Sequence, residues 1–316
     1  MPRVTISELQ SDMSLRKELY LLRTKSLATT RTGSMMLRVT LADKSGTIQG
    51  VMFDAQGWVA DNLSVGKGVE VTGRITSYKD QLQVTLERIA PANLPSIEDY
   101  LPGPSRPMQD MLAELEDLRG SIRQPDLARL LEAILSDPAT YRAYTQAPAA
   151  KAFHHACVGG LLEHSLAVAR LAQCACGLYA ELDRDLVITL ALLHDLGKIR
   201  AYDAISFEQT PEGNLWSHLY IGAAEVDKVI DRLEGFDPDL RLRIVHGLLA
   251  HHGKRENGSP VVPATLEAVV VSHADNLDAS AKGVIDFCES HEVDAEGFTD
   301  NSLMHESRLY SKPTRT

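Results

Sequence analysis

Residues 190–198 read LALLHDLGK, the most informative stretch of this 316-residue chain. An apolar run, Leu186 to Leu193, leads into it and predicts a buried helix that ends at a histidine–aspartate pair. Adjacent helical residues project about 100° apart, so His194 and Asp195 can bind one ion between them. An imidazole and a carboxylate suit Mn²⁺, Fe²⁺, Co²⁺ or Zn²⁺. Alone, the pair is more often a simple hydrogen-bonded contact, so the metal interpretation depends on the rest of the chain.

Further candidate ligands stand at helix ends or on otherwise apolar helices of the same half of the chain. Burying that many ionisable groups without partners would be costly, and a shared cation removes the cost. Lys198 adds a positive charge beside the pair, which suits a phosphate substrate. Taken singly, each histidine is more often an ordinary core or surface residue. The further candidates are His164, His218, His251, His252 and Asp275.

Composition and charge limit the class of protein. Net charge is −11, but residues 1–100 carry 12 basic and 11 acidic side chains, so the acidity lies in the remainder. An acidic chain attracts phosphates poorly, and nucleic-acid contact must therefore come from local features or bound cations. Four cysteines in this length are not a disulfide framework. Without a long apolar window or a signal-peptide core, we expect a cytoplasmic protein with no membrane contact.

The first part of the chain has β periodicity. Alternation of Leu37, Val39 and Leu41 with polar residues is typical of a half-buried strand. The apolar phase slips at Gly50, which predicts a β-bulge. Five strands in this length predict a small barrel of the OB type. The predicted strands are 18–30, 35–43, 47–54, 68–78 and 81–89, with a hairpin turn at 31–34.

Residues 35–54, MMLRVTLADKSGTIQGVMFD, resemble the nucleic-acid-binding OB family. Such barrels hold single strands by stacking bases on aromatic side chains within a cationic groove. The alternative is that the polar side chains are only the solvated face of a structural barrel. The candidate binding residues are Arg38, Arg74, Tyr78, Lys79 and Gln83.

The chain therefore divides into four predicted parts. An all-β OB domain, residues 1–90, precedes a linker, 91–108, that holds five prolines and is semi-rigid. Helical periodicity then predicts an all-α domain over 109–290. The last residues, 291–316, are polar and weakly patterned, and we interpret them as a tail.

In order and context, His164, His194-Asp195 and Asp275 match the H…HD…D signature of the HD superfamily of metal-dependent phosphohydrolases. The resemblance covers residues 150–285 and implies a helical bundle with the metal at its centre. His218 and His251-His252 resemble the additional ligands of the binuclear HD-GYP subgroup. Gly258-Ser259-Pro260 lacks the tyrosine of that subgroup's motif, so the resemblance does not extend to cyclic-dinucleotide specificity.

A closer resemblance covers nearly the whole chain. An OB domain followed by FHHACVGGLLEHS, LLHDLGK, LLAHHGK and HADNLDA resembles the YhaM-type 3′→5′ exoribonucleases. That family implies hydrolysis of single-stranded RNA, and often DNA, from the 3′ end. It also implies Mn²⁺ as the favoured metal. Apart from the resemblance, Fe²⁺, Co²⁺ and Mg²⁺ stay open as alternatives.

The resemblance assigns roles to the candidates. A first metal would be bound by His164, His194, Asp195 and Asp275, and a second by His218, His251 and His252, with Asp195 shared. Lys198 and Lys254 would neutralise phosphate charge, and His154 or His155 would contact the terminal nucleotide.

Two alternatives from other classes stay open. One is a phosphohydrolase of nucleotides or cyclic dinucleotides with a regulatory OB domain. The other is a non-catalytic nucleic-acid-binding protein with a structural metal. The sequence does not distinguish one metal from two, RNA from DNA as the preferred partner, or a monomer from a homo-oligomer.

Overall fold

The computed structural model describes residues 4–30, 33–78, 81–96, 98–151, 155–302 and 304–311. The chain forms two compact units. The first comprises Met1–Gly103 with Ile205–Phe207, and the second comprises Pro104–Ala204 with Glu208–Thr316.

The first unit is a closed β-barrel with strand order β1-β2-β3-β5-β4, in which β4 pairs back to β1. Neighbouring strands are antiparallel except β3 and β5, which are parallel. Inward-facing Leu37, Val39 and Leu41 are fully buried, as their alternation predicts. The OB barrel is thus confirmed. Its elements are β1 (Ser14–Thr29), β2 (Met35–Asp43), β3 (Gly46–Met52), the short helix α1 (Gly57–Asp61), β4 (Gly68–Tyr78) and β5 (Gln81–Ala92).

Several strand ends differ from the prediction, and the largest differences are in β1 and β5. β1 begins at Ser14, four residues earlier than predicted, and β5 runs on to Ala92, so that Pro91 lies within a strand. Proline is tolerated where the strand residue need not donate a hydrogen bond. Of the predicted hairpin turn, residues 31 and 32 lie outside the described residues.

The predicted bulge at Gly50 is wrong. β2 and β3 pair in continuous register through Val39 and Gly50. Gly50 occupies an inward position, where an added Cβ would lie 2.7 Å from Val39 Cγ2. The apparent phase slip arises because the inward residue is a glycine rather than an apolar side chain. The register shifts of the barrel lie instead in β1 and between β4 and β5.

The second unit is a helical bundle, which confirms the predicted all-α domain. Several helices begin with proline after a capping side chain, as at Asp137-Pro138 and Asp237-Pro238. The helices are α2 (Met108–Gly120), α3 (Pro125–Leu135), α4 (Pro138–Gln146), α5 (Gly160–Cys176), α6 (Arg184–Leu193), α7 (Lys198–Ala201), α8 (Pro211–Ile230), α9 (Pro238–Ala250) and α10 (Leu266–Ser290).

Helix α6 lies at the centre of this bundle. Its residues from Leu186 to Leu193 are all buried, and it packs against α3, α5, α9 and α10. A helix that is apolar on all sides is stable only when neighbours surround it. The helix therefore carries whatever follows its last residue into the interior.

Residues beyond α10 contain an element that the weak sequence pattern did not predict. β6 (Phe298–Ser302) and β7 (Ser307–Tyr310) form an antiparallel pair. Among the described residues, no helix combines the length and apolar character needed to cross a membrane.

Candidate metal centre and nucleic-acid groove

The end of α6 places His194 and Asp195 in the interior, where each side chain is 1% exposed. Gly197 follows them in ordinary helical conformation, so its role is space rather than an unusual turn. An added Cβ there would lie 2.0 Å from the backbone oxygen of His218. The glycine thus lets α8 approach closely enough to bring His218 beside the pair.

One oxygen of Asp195 faces a first group of ligands. Its Oδ2 atom lies 3.4 Å from Nε2 of His164 and 3.3 Å from Nε2 of His194. Oδ1 of Asp275 lies 3.1 Å from the same His164 nitrogen. Three helices therefore bring two imidazoles and two carboxylates to one point.

The other oxygen of Asp195 faces a second group. Its Oδ1 atom lies 3.3 Å from Nε2 of His218 and 3.5 Å from Nε2 of His251. Nε2 of His252 lies 3.2 Å from Nε2 of His218. The seven residues predicted as ligands thus lie together, and Asp195 among them directs one oxygen toward each group.

Hydrogen bonds at the far side of the rings leave the Nε2 atoms directed inward. Nδ1 of His194 donates to the backbone oxygen of Ala191, and Nδ1 of His251 donates to that of Leu248. Nδ1 of His252 donates likewise to the backbone oxygen of Asn257. A proton on Nδ1 leaves a lone pair on Nε2, the tautomer that binds metal.

The donor set fits a divalent ion. In the described chain, Oδ1 of Asp195 and Nε2 of His251 make no hydrogen bond of good geometry, although both atoms are buried. Nε2 of His164 and Nε2 of His194 face each other at 3.2 Å. Buried polar atoms are rarely left in this state, and a shared cation would satisfy them together.

The charges of the pocket also favour a cation. Burial raises the pKa of Asp195, but Lys198 and His194 outweigh burial and hold that pKa well below its usual range. The carboxylate is therefore ionised. Burial lowers the pKa of His218 well below its usual range and also lowers that of His252. Both rings are thus neutral, as metal ligands must be.

The two predicted lysines have different surroundings. Lys198 is buried, and its Nζ atom lies 2.6 Å from Oδ2 of Asp195 as an ion-pair partner. Lys254 is 76% exposed and pairs with Glu256. Lys198 therefore lies in the pocket, whereas the side chain of Lys254 lies on the surface, although its backbone nitrogen donates to the backbone oxygen of His252 at 3.0 Å.

His155, one of the two histidines predicted to contact the terminal nucleotide, lies in the interior of the second unit. The ring is buried, with Nδ1 bonded to Oε2 of Glu163 at 2.9 Å and Nε2 bonded to Oδ2 of Asp278 at 3.0 Å. Both ring nitrogens thus contact carboxylates of the protein itself, and the contact with the terminal nucleotide stays a prediction. His154 lies outside the described residues.

Asp278 is a site residue that the sequence reasoning missed. Its Oδ2 atom accepts a hydrogen bond from Nδ1 of His164 at 2.7 Å. A signal was present, because HADNLDA places Asp275 and Asp278 three residues apart and hence on one face of α10.

The barrel carries a groove of about 300 Å³ on its outer surface. Three predicted binding residues, Arg38, Tyr78 and Gln83, line it. Phe53 also lines the groove, but the sequence analysis did not name it as a binding residue. Phe53 is 57% exposed, and Tyr78, which lines the same groove, is 61% exposed. The groove thus combines two exposed rings with a guanidinium and side-chain amides. Its lining is Met36, Arg38, Gln49, Val51, Phe53, Tyr78, Gln81, Leu82 and Gln83.

Two other residues of the barrel were predicted to bind nucleic acid, and the structure does not place either of them in the groove. Arg74 forms an exposed ion pair with Asp12 and does not line the groove. Lys79 lies outside the described residues.

Two known protein-family models match separate parts of the chain, one in the helical unit and one in the barrel. The family model described as HD domain matches residues 161–280, and that described as OB-fold nucleic acid binding domain matches residues 21–92. A third, described as putative helicase, matches residues 101–183. An HD domain implies dependence on a divalent metal, and the OB match indicates a nucleic-acid partner.

Two curated relatives match along almost the whole chain. A protein of Bacillus velezensis named 3′-5′ exoribonuclease YhaM is 31% identical over 93% of this chain and 94% of its own length. A protein of the same name from Bacillus pumilus is 32% identical, with 96% of each chain covered. Among solved structures, the phosphodiesterase PgpH HD domain of L. monocytogenes is 19% identical over 47% of this chain and 80% of its own, with a TM-score of 0.30.

Proposed function

Because this chain belongs to the YhaM family of 3′-5′ exoribonucleases, we propose that it is a metal-dependent enzyme that shortens single-stranded RNA from its 3′ end. The observation that carries the proposal is the full-length match, which includes both the nucleic-acid-binding barrel and the buried ligand set. Hydrolysis at the terminal phosphodiester would release nucleoside 5′-monophosphates.

We assign His164, His194, Asp195 and Asp275 to a first metal and His218, His251 and His252 to a second. Asp195 is the shared ligand, which the separate orientation of its two oxygens supports. Two divalent ions held by these residues would supply an activated water and charge stabilisation for an in-line displacement. Mn²⁺ is our first choice, with Fe²⁺, Co²⁺ and Mg²⁺ as the ions to compare, since nitrogen-rich ligand sets favour transition metals.

Lys198 supplies a positive charge to the pocket as the partner of Asp195. Its pKa is lowered by burial but raised more by Asp195, and the net pKa lies above the usual value. It is therefore charged at neutral pH. We assign it to balancing Asp195 and to neutralising the phosphate of the terminal nucleotide.

The groove of the barrel is assigned to the substrate strand. Phe53 and Tyr78 offer faces on which successive bases stack, and Arg38 offers charge to the backbone. Stacking does not require a 2′-hydroxyl, so single-stranded DNA should bind as well. A hydrolase of small nucleotides would have no use for this groove, and that second candidate is therefore less well supported.

Other expectations remain proposals. All four cysteines are free thiols, which supports the predicted cytoplasmic location. The boundaries 1–90, 91–108, 109–290 and 291–316 stand as a proposed division for truncation experiments. Homo-oligomer formation is likewise left to a mass measurement in solution.

The metal count tests the proposed ligand set. Purified protein should bind nearly two Mn²⁺ per chain, and His252→Ala should bind close to one, because the second group would lose a ligand. Elemental analysis after removal of free metal measures the ratio. His273→Ala removes an exposed histidine of α10 and should retain both ions. A wild-type ratio of one under metal excess would contradict the binuclear assignment.

Substituting the groove aromatics tests the barrel's role. Phe53→Ala and Tyr78→Ala should each weaken binding of a single-stranded oligonucleotide roughly 5- to 150-fold, since stacking contributes about 1–3 kcal/mol per base. Fluorescence anisotropy with a labelled oligonucleotide measures the affinity. Trp58→Ala is the matched control, because Trp58 is 65% exposed on the same barrel but does not line the groove. Unchanged affinity in the double variant Phe53→Ala/Tyr78→Ala would exclude the groove as the binding surface.

Digestion of end-labelled RNA tests the reaction itself. Metal-loaded protein incubated with 5′-labelled single-stranded RNA should give a ladder that shortens one nucleotide at a time. If the RNA stays intact while mononucleotides or cyclic dinucleotides are hydrolysed under the same conditions, the result would favour the small-molecule phosphohydrolase instead.

A further inference from the structure

A chain of hydrogen bonds leads away from the candidate metal centre at His164. Nδ1 of His164 donates to Oδ2 of Asp278 at 2.7 Å, and Nε2 of His155 donates to the same oxygen at 3.0 Å. Nδ1 of His155 in turn donates to Oε2 of Glu163 at 2.9 Å. The other oxygen of Glu163 accepts from Oγ of Ser105 at 2.5 Å and from the backbone nitrogen of Arg106 at 3.1 Å.

This series lies within the protein rather than on its surface. His155 and Glu163 have side chains 4% exposed, His164 is 1% exposed, and Asp278 is 14% exposed. The ring of His155 lies between Glu163 and Asp278, with one ring nitrogen at hydrogen-bond distance from each carboxylate, and it fixes the position of both carboxylates.

The backbone at His155 supports a defined position for its ring. The residue has φ of 57°, in the left-handed region that non-glycine residues seldom adopt. Such a conformation persists only where surrounding contacts impose it. The two carboxylate contacts of the ring are contacts of that kind.

By distance alone, His155, His164 and Asp278 are a candidate group of metal ligands. Their separations of 2.7 and 3.0 Å, however, are those of ordinary hydrogen bonds. His164 also directs its Nε2 atom toward Asp195 and Asp275. The group is thus better explained as support for one metal than as a separate site.

His164 differs in this respect from three other histidines of the centre. His194, His251 and His252 each donate from Nδ1 to a backbone carbonyl oxygen, which is neutral. His164 donates to a carboxylate. A charged acceptor orients the ring, fixes its tautomer and makes its other nitrogen a stronger ligand.

We propose that Asp278 is a positioning residue for His164 and that His155 and Glu163 hold Asp278 in place. The inference rests on the proposed metal site, because it gives Asp278 an effect only through a ligand. It adds residues outside the ligand set and links the centre to Ser105 and Arg106, which precede the first helix of the bundle. Their predicted effect is on metal affinity.

Metal affinity of the full-length chain tests the proposal. Mn²⁺ is titrated into metal-free protein, and free Mn²⁺ is followed by its electron paramagnetic resonance signal. Asp278→Ala should weaken binding about 10- to 100-fold, as loss of an outer partner of a ligand generally does. Asp278→Asn keeps an oxygen acceptor for His164 and should recover part of that loss. Glu163→Gln should also weaken binding, by less than Asp278→Ala.

Two controls separate this inference from the site assignment. Asp286→Asn changes another aspartate of α10, one that pairs with Lys282, and should bind Mn²⁺ as wild type does. His164→Ala removes the ligand and should lose most of the binding. If His164→Ala binds normally, the proposed metal site itself fails.

If His164→Ala loses metal while Asp278→Ala and Asp278→Asn bind as wild type, the positioning role is wrong. Circular dichroism checks that each variant is folded. Should Asp278→Ala fail to fold, the isosteric Asp278→Asn decides, since unchanged affinity there contradicts the proposal. A purely structural Asp278 would lower the melting temperature of the metal-free protein and leave Mn²⁺ affinity unaltered.

Discussion

Replacing Asp195 with alanine should abolish hydrolysis and remove most of the bound metal. Asp195 directs one oxygen to His164 and His194 and the other to His218 and His251, so one substitution affects both groups of ligands. Loss of an outer partner of a ligand costs roughly 10- to 100-fold in activity or metal affinity. We therefore expect loss of the shared ligand itself to exceed about 100-fold. Initial rates on labelled RNA and elemental analysis of the same preparation measure the two effects together.

A folding control is needed, because Asp195 is also the partner of the buried Lys198. Removing one member of a buried pair leaves an uncompensated charge, which is destabilising. Asp195→Asn preserves the shape of the side chain, and Asp195→Ala/Lys198→Ala removes the charge of both. Circular dichroism of all three variants identifies those that fold. A folded Asp195→Ala protein with full activity would rule out the proposed metal site.

Local sequence patterns were enough to predict both halves of the fold. Alternating residues such as Leu37 and Leu41 specify inward positions of a strand, and the unbroken apolar run into His194 specifies a central helix. These patterns depend only on which face of an element is buried. The same logic failed at Gly50, because a glycine can fill an inward position without an apolar side chain when Val39 lies too close for any other residue.

The candidate site was predictable in its ligands but not in its supports. The HD resemblance named the seven candidate ligands that the fold brings together, and the i,i+3 spacing of Asp275 and Asp278 is present in the sequence. In contrast, the contact of Glu163 with Ser105 joins residues 58 positions apart. Nothing local to either residue specifies it, since the contact exists only once the helices have packed.

The sequence also did not specify how the side chain of Asp195 is oriented. The sequence names Asp195 as a ligand, but the separate directions of its two oxygens follow from where α5, α8 and α9 place their histidines. The close approach of His218 to Gly197 could not be predicted from the sequence either, because the two residues are distant in the chain and adjacent only in the folded bundle.

Blocking the 3′ end of a single-stranded RNA should nearly stop its degradation, whereas blocking the 5′ end should leave the rate unchanged. An exonuclease must place the terminal nucleotide at the metal centre, and here the shared ligand Asp195 and its neighbour His194 are each 1% exposed. A centre that is buried to this degree should accept a chain end more readily than an internal segment. A bulky 3′ group would prevent entry of that end. Denaturing gels of 5′-labelled RNA with and without the 3′ group measure the difference.

Circular and duplex substrates complete the test of polarity. A circular single strand has no end and should survive, although it can still bind the groove that contains Phe53 and Tyr78. A blunt duplex should resist, because unpairing each terminal base opposes its entry, and a 3′ single-stranded overhang should restore degradation up to the duplex. Chromatography of the products should show nucleoside 5′-monophosphates. Internal cuts in the circle, or release of 3′-monophosphates, would contradict the exonuclease assignment, since neither can arise from water-mediated removal of a 3′-terminal nucleotide as its 5′-phosphate.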